Sequence, residues 1–173
     1  FLGPRIPKTV GALGTRLRYK GLSVDANFTY VGGHSIYEQW AGYYTHSGLL
    51  STYLYNGVTD LLDRWQQPGD VTDIPRMRWS TSRTTAGSYH TDRFLYDGTF
   101  IRLRDLVVSY DLPKNLISEI GMDRLTVYAK GTNVWTWTKE DIPIEPEVAI
   151  SDGQWDLFNP VPKTWALGLN LTF

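Results

Sequence analysis

The stretch KTWALGLNLTF, Lys163–Phe173, decides how the chain is read. Trp165, Leu167, Leu169, Leu171 and Phe173 share one parity, while Thr164, Ala166, Gly168, Asn170 and Thr172 share the other. A period of two is that of a strand with one apolar face and one small or polar face. A strand of a soluble sandwich alternates in the same way, so the pattern alone does not name the solvent. Three further features lean toward a membrane: the length, the aromatics near both ends, and a final Phe with no polar tail. A strand of roughly 9–11 residues, tilted by about 45°, crosses a bilayer as part of a barrel. The stretch reads as the closing strand of a membrane β-barrel.

Working back from it, residues 124–137 form another strand, with Leu125, Val127 and Ala129 opposite Thr126, Tyr128 and Lys130. A strand over 99–111 precedes it. There Ile101 and Leu103 share a parity that Leu106, Val108 and Tyr110 do not, and a switch at Arg104–Asp105 predicts a β-bulge. KNLISEIG, Lys114–Gly121, reads as one or two helical turns closing on Gly121. Residues 14–20 and 22–32 make a tight hairpin across Gly21. Arg16, Arg18 and Lys20 oppose Leu17 and Tyr19; Ser23, Asp25, Asn27 and Thr29 oppose Leu22, Val24, Ala26, Phe28 and Tyr30.

The alternation fails over 33–95 and 139–162. The first of these holds Tyr37, Trp40, Tyr43, Tyr44, Tyr53 and Tyr55, a short helical segment at Val58–Trp65, the breakers Pro68–Gly69–Asp70, and the Ser/Thr-rich Ser80–Ser88. Loops this far above the usual 4–6 residues are functional, or mark a wrong assignment. Long outer loops with short inner turns are normal for outer-membrane barrels, and both long loops fall on one side here. The fold class expected is therefore all-β, an antiparallel transmembrane β-barrel segment. Five strands cannot close such a barrel, which starts at about eight, and open edges in hydrocarbon cost several kcal/mol per unpaired group. More of the same polypeptide, further copies or partners must complete the wall.

Composition agrees. Seventeen basic groups nearly balance 18 acidic ones, without the clustered Lys and Arg of a nucleic-acid footprint. Aromatics reach 14%, with 7 Trp and 11 Tyr, an excess that suits carbohydrate surfaces, protein interfaces and membrane girdles alike. The chain has no Cys, so it has neither a disulfide framework nor a thiolate metal site. No run approaches the apolar length of a transmembrane helix. It starts at Phe1 without an initiator Met or signal peptide, as a mature segment or a piece of a longer chain would.

Single residues carry two readings each. Trp40, Tyr43, Tyr44, Trp65 and Trp155 suit stacking on sugar faces or gripping a partner, but a loop packing on itself uses such residues more often. Trp135, Trp137, Trp165 and Phe173, at strand ends, suit membrane-interface anchoring better than ligand contact. Arg16, Arg18, Lys20, Arg102 and Lys130 suit a polar lumen, or plain hydration. His34, His46 and His90 are scattered, and Asp70, Asp73, Asp152 and Asp156 lack a calcium-loop spacing, so no metal or other cofactor is expected. Glu145 with Glu147 or Asp152 lies in a Pro-rich loop, without the rigid separation that a glycosidase pair needs. No nucleophile or phosphate-loop motif is present, and no catalytic residue is expected.

The run FLYDGTFIRLRDLVVSYDLPKNLISEIGMDRLTVYAKGTNVWTWTK, Phe94–Lys139, resembles the C-terminal strands of SusC/RagA-type TonB-dependent outer-membrane transporters. Asp97–Gly98, Arg102–Leu103–Arg104, Tyr110, Leu112–Pro113 and Asn133–Thr136 carry the likeness, with Arg64–Arg76 (RWQQPGDVTDIPR) and the closing PVPKTWALGLNLTF. The resemblance implies a bacterial outer-membrane importer of glycans or peptides with a 22-stranded barrel. It also implies a plug domain, a SusD-like lipoprotein lid, a TonB-type energy-coupling protein, and a wall set in lipid and lipopolysaccharide. The terminal Phe resembles a barrel-assembly signal. Plug, TonB box and earlier strands are expected outside this stretch. A soluble, aromatic-rich carbohydrate-binding β-sandwich is the alternative.

Overall fold

Where apolar and polar residues alternate, the chain forms strands, and where small or turn-forming residues interrupt them it reverses. The computed structural model describes residues 3–45, 56–78, 92–147, 154–155 and 159–173. Tyr53, Tyr55, His46, His90, Asp152, Asp156 and the Ser80–Ser88 run lie outside the described residues, as does the side chain of Trp155.

The strands are β1 (Thr9–Tyr19), β2 (Leu22–Gly32), β3 (Ser35–Glu38), β4 (Leu95–Asp97), β5 (Phe100–Asp111), β6 (Arg124–Thr138), β7 (Gln154–Trp155) and β8 (Thr164–Thr172). Five of them form an antiparallel sheet in the order β1-β2-β5-β6-β8. β1 starts well before residue 14, where the alternation suggested. Gly11, Ala12 and Gly14 blunt the apolar signal there, yet the ladder to β2 runs unbroken from Thr9↔Gly32 to Tyr19↔Leu22. Lys20 and Gly21 make the turn with φ of 45° and 84°, the paired left-handed backbone that a two-residue hairpin demands.

The bulge is present. Phe28 pairs with Leu103 and Asn27 with Asp105, which leaves Arg104 as the extra residue of β5. On the other side Leu103 pairs with Trp135 and Asp105 with Thr132, and β6 answers with Asn133 in the left-handed region at φ 55°. Because Arg104 is extra, Leu103 above it and Leu106 below it stay on one face.

Paired residues share a face, so the register sorts the sheet into two sides. One side carries Leu13, Leu17, Val24, Phe28, Leu103, Val108, Val127, Trp135, Leu167 and Leu169; the other carries Arg16, Asp25, Asn27, Arg102, Asp105, Lys130, Thr136 and Asn170. The apolar side is uncovered, with Leu167 86% exposed. On it the ring of Trp165 lies over Gly131, its cross-strand partner, so closely that an added Cβ would sit 2.8 Å from the indole. No helix among the described residues is long and apolar enough to cross a membrane.

Turns at the β1–β2 and β5–β6 ends are short, and the chain terminus joins them. The β5–β6 connection holds a short helical turn at Lys114–Ile117, then a 3₁₀ turn at Ser118–Ile120 that Gly121 ends at φ 73°. At the opposite end both long loops meet. Their meeting is a second sheet, order β4-β3-β7, in which the first loop gives β3 and β4 and the second gives β7. A single helical turn at Ala41–Tyr44 follows β3, and Val58–Trp65 folds only as a 3₁₀ turn at Thr59–Asp63. The packed hydrophobic cluster of the described residues sits here, Ile36 with Ile144 and Ile142, and Phe94 and the first residue of β5, Phe100, are buried as well.

Candidate functional site

The cap formed by the two loops stands at the long-loop end of the sheet, where β2 and β6 leave it and β5 and β8 enter. Its best-connected point is Arg102, 2% exposed on the polar side of β5. Arg102 donates to Thr136 Oγ1 at 3.0 Å and to Glu147 Oε2 at 2.6 Å, and it pairs with Glu145. Arg104, the bulge residue, donates to Glu147 Oε2 at 2.9 Å and to Asn133 Oδ1 at 3.3 Å. Glu145 and Glu147 belong to the second loop, so this cluster ties loop to wall. A Pro-rich segment gave no sequence signal for such pairing, and only the Glu-Pro-Glu spacing hints at it.

Below the cluster the polar side is laced by ion pairs. Arg16 pairs with Asp25 across β1 and β2, Lys130 with Asp105 at 3.0 Å, and Arg124 with Asp111 at 2.6 Å. Without the bulge, Asp105 would fall on the apolar side. Arg16, Lys130 and Arg102 thus lie where sequence patterning put them, on one polar face; Arg18 and Lys20 line a recess of about 310 Å³ at the short-turn end.

Within the cap, His34 is 2% exposed and neither ring nitrogen has a hydrogen-bond partner among the described residues. Burial holds its pKa below the ordinary value, against the opposing pull of Asp97. Burial likewise pushes Glu38 up, and the Tyr96 hydroxyl, which donates to it at 3.3 Å, pulls back. Tyr96 itself is pushed up to about 12, by burial first and then by the charge of Glu38. Asp97 feels burial too, but Lys139 at 2.5 Å and the hydrogen bonds of Thr99 outweigh it and hold the carboxyl below its usual range.

A cavity of about 580 Å³ opens between the loops, lined by Glu38, Tyr44, Asp60, Asp73, Arg93 and Tyr96 among others. Trp40 and Tyr43 lie beside it in sequence and stack on each other, ring centroids 4.9 Å apart. Trp65 sits apart, at a shallower recess with Arg76, whose guanidinium lies 5.8 Å from the indole centroid. The backbone of Trp155 pairs with Glu38 in the small sheet. The five loop positions therefore divide: Tyr44 lines the cavity, Trp40 and Tyr43 pack together, and Trp65 faces a different recess. Trp135, Trp137, Trp165 and Phe173 are exposed on or beside the apolar side, the first three toward the cap and Phe173 at the other end. No group of three or more potential metal ligands exists among the described residues.

No family model matches the chain. Its sequence is 28% identical to TonB-dependent receptor P26 and 27% identical to TonB-dependent receptor P3, both of Formosa agariphila, over 99% and 100% of this chain. The chain spans 18% and 17% of the length of those relatives. The fold matches the RagAB peptide importer in its 'open-open' state at a TM-score of 0.74 and 25% identity, over 96% of this chain and 17% of that one. The 'closed-closed' state matches at 0.76, with 24% identity over 98% of this chain and 18% of the other. Along its whole length the chain is thus similar, in sequence to TonB-dependent receptors and in fold to the RagAB importer, as a C-terminal β-barrel segment of the SusC/RagA type would be.

Proposed function

We propose that the chain supplies barrel wall and part of the outer mouth of a bacterial outer-membrane importer of peptides or glycans. One observation carries this: an unbroken apolar side left uncovered on a sheet whose opposite side is polar and ion-paired. β2 has 11 residues, which at about 3.4 Å per residue and a tilt near 45° gives roughly 24 Å of height, close to the apolar band of such barrels. The apolar side faces lipid and lipopolysaccharide, and the polar side faces the lumen. Trp135, Trp137 and Trp165 anchor the outer interface and Phe173 the inner one, since an aromatic ring suits the boundary between headgroup and hydrocarbon.

In this reading the cap lies at the mouth, and its aromatics, with Tyr44 on the cavity and Trp65 on the second recess, would meet cargo or a SusD-like lipoprotein lid. The pairing implied by the name RagAB supports the lid, and its description as a peptide importer favours peptide over glycan. Plug, remaining strands and the contact with a TonB-type protein belong to the rest of the transporter. Transport, not catalysis, is the role of the relatives, and this segment is assigned no chemistry. A soluble sandwich is disfavoured, because Trp165, Leu167 and Leu169 stay largely exposed and no second sheet among the described residues covers that side.

The test is a paired substitution in the full-length transporter. Leu169→Arg should abolish or sharply reduce the folded, membrane-extracted barrel, while Asn170→Arg should leave it. Equal effects would overturn the lipid and lumen assignment.

A further inference from the structure

The second loop is fastened to the cap along its course. Lys139 holds Asp97, Glu140 accepts the Asp97 N–H at 2.8 Å, Ile142 and Ile144 pack against Ile36, and β7 pairs with β3. Between these points the chain does something different: Glu145 and Glu147 reach the wall itself. Arg102 and Arg104 meet them on the polar side of β5, two guanidinium groups against two carboxylates, so the local charge closes. Glu147 N–H also donates to Glu145 Oε1 at 3.2 Å, and Pro146, buried between them, restricts the backbone that presents both carboxylates.

Filling space does not require this arrangement. Apolar residues of similar volume serve a buried contact as well or better. What a forked guanidinium pair adds is a defined direction, together with a steep penalty for losing one partner. The two arginines also depend on the bulge, which keeps Arg104 beside Arg102 on the same side while preserving the apolar side below.

We propose that Glu145–Pro146–Glu147 is a strap, buckled to the inner wall by Arg102 and Arg104, that holds the second outer loop across the inside of the mouth as a constriction. The direction of the strap rests on the assignment of the polar side to the lumen. It uses up the positive charge of the wall at that level, so the mouth there presents little net charge to cargo, and the loop moves only when the buckle opens.

The experiment uses the full-length transporter in outer-membrane vesicles, with Pro146→Cys as a reporter and a membrane-impermeant maleimide as the probe. Glu145→Gln with Glu147→Gln should raise the labelling rate by about tenfold or more, and adding Arg102→Gln should raise it little further, as expected of one unit. An unchanged rate in a barrel that still runs as a folded, heat-modifiable band overturns the strap. A second variant guards against misassembly: Arg102→Gln combined with Arg104→Gln, which removes the buckle from the wall side, should speed labelling as much as the paired Glu→Gln changes, and slow labelling in a folded barrel of that variant also overturns it. Failure of the transporter reading looks different, as a chain released from membranes by carbonate with no heat-modifiable band, whatever the labelling rates.

Discussion

The wall and the cap are built by opposite rules. In the five-stranded sheet the large apolar side chains of one side are mostly exposed or half-buried, and neighbours in space are set by a regular ladder. In the cap, short strands from two distant loops bury Ile36 and Ile144 together, and a fully buried arginine is satisfied by residues more than 30 positions away. The wall leaves one apolar and one polar side to be finished by whatever surrounds it. The cap must finish itself. A change in the wall should therefore be felt according to the face it falls on, and a change in the cap according to the partner it strands.

The largest effect tests the cap. Arg102→Ala leaves Glu145 and Glu147 short of their main partner in a mostly buried site and should destabilise the cap by about 3–5 kcal/mol. Hydrogen exchange across 139–147 in the full-length protein should rise while the strands keep their protection; protection lost evenly in both would erase the distinction between cap and wall. Next comes the face rule. Leu169→Arg should cost about 2–4 kcal/mol in denaturant unfolding from lipid vesicles, with Asn170→Arg far milder because its neighbours on that side are polar. A smaller effect belongs to the turn. Gly21→Ala places a Cβ in the left-handed region and 2.9 Å from the Asp111 carbonyl, and should cost roughly 1–3 kcal/mol in the same measurement.

The smallest effect is set by pH. Burial depresses the folded-state pKa of His34 below its ordinary 6.5, so its contribution is fully present above that value and is lost as pH falls toward and through the folded pKa. Asp97, also held low, keeps its contribution until much more acidic conditions, below 3.8. Cap protection factors, with exchange rates corrected for their intrinsic pH dependence, should thus begin to fall as pH drops below 6.5, and His34→Phe should remove that onset while leaving the wall unchanged. An onset that persists in His34→Phe would assign the sensitivity elsewhere.

Legibility followed the same division. The strands were readable because a period of two records which side each residue faces, and the parity switch between Leu103 and Leu106 announced the bulge. The alternation alone starts β1 too late, since Gly11, Ala12 and Gly14 carry little hydropathy; its first half exists because β2 offers a complete ladder. Trp135, Trp137 and Trp165 stood out at strand ends, and they are exposed there. The loop aromatics were read as one group, and the fold separates Trp65 from Tyr44. Glu145 and Glu147 were weighed only as a catalytic pair, a reading that their engagement with two arginines replaces. His34, scattered in sequence, became a buried and unpartnered imidazole.

Sequence by itself determined the staves, their two faces, the side on which both loops fall and the likeness to a transporter family. These are local properties, each written in the residues that show it. Tertiary structure alone decided that the loops join in one sheet, that Arg102 closes on Glu145 and Glu147, and that the packed hydrophobic cluster lies in the cap. Such contacts join positions dozens of residues apart through irregular backbone, where no period exists to carry the information.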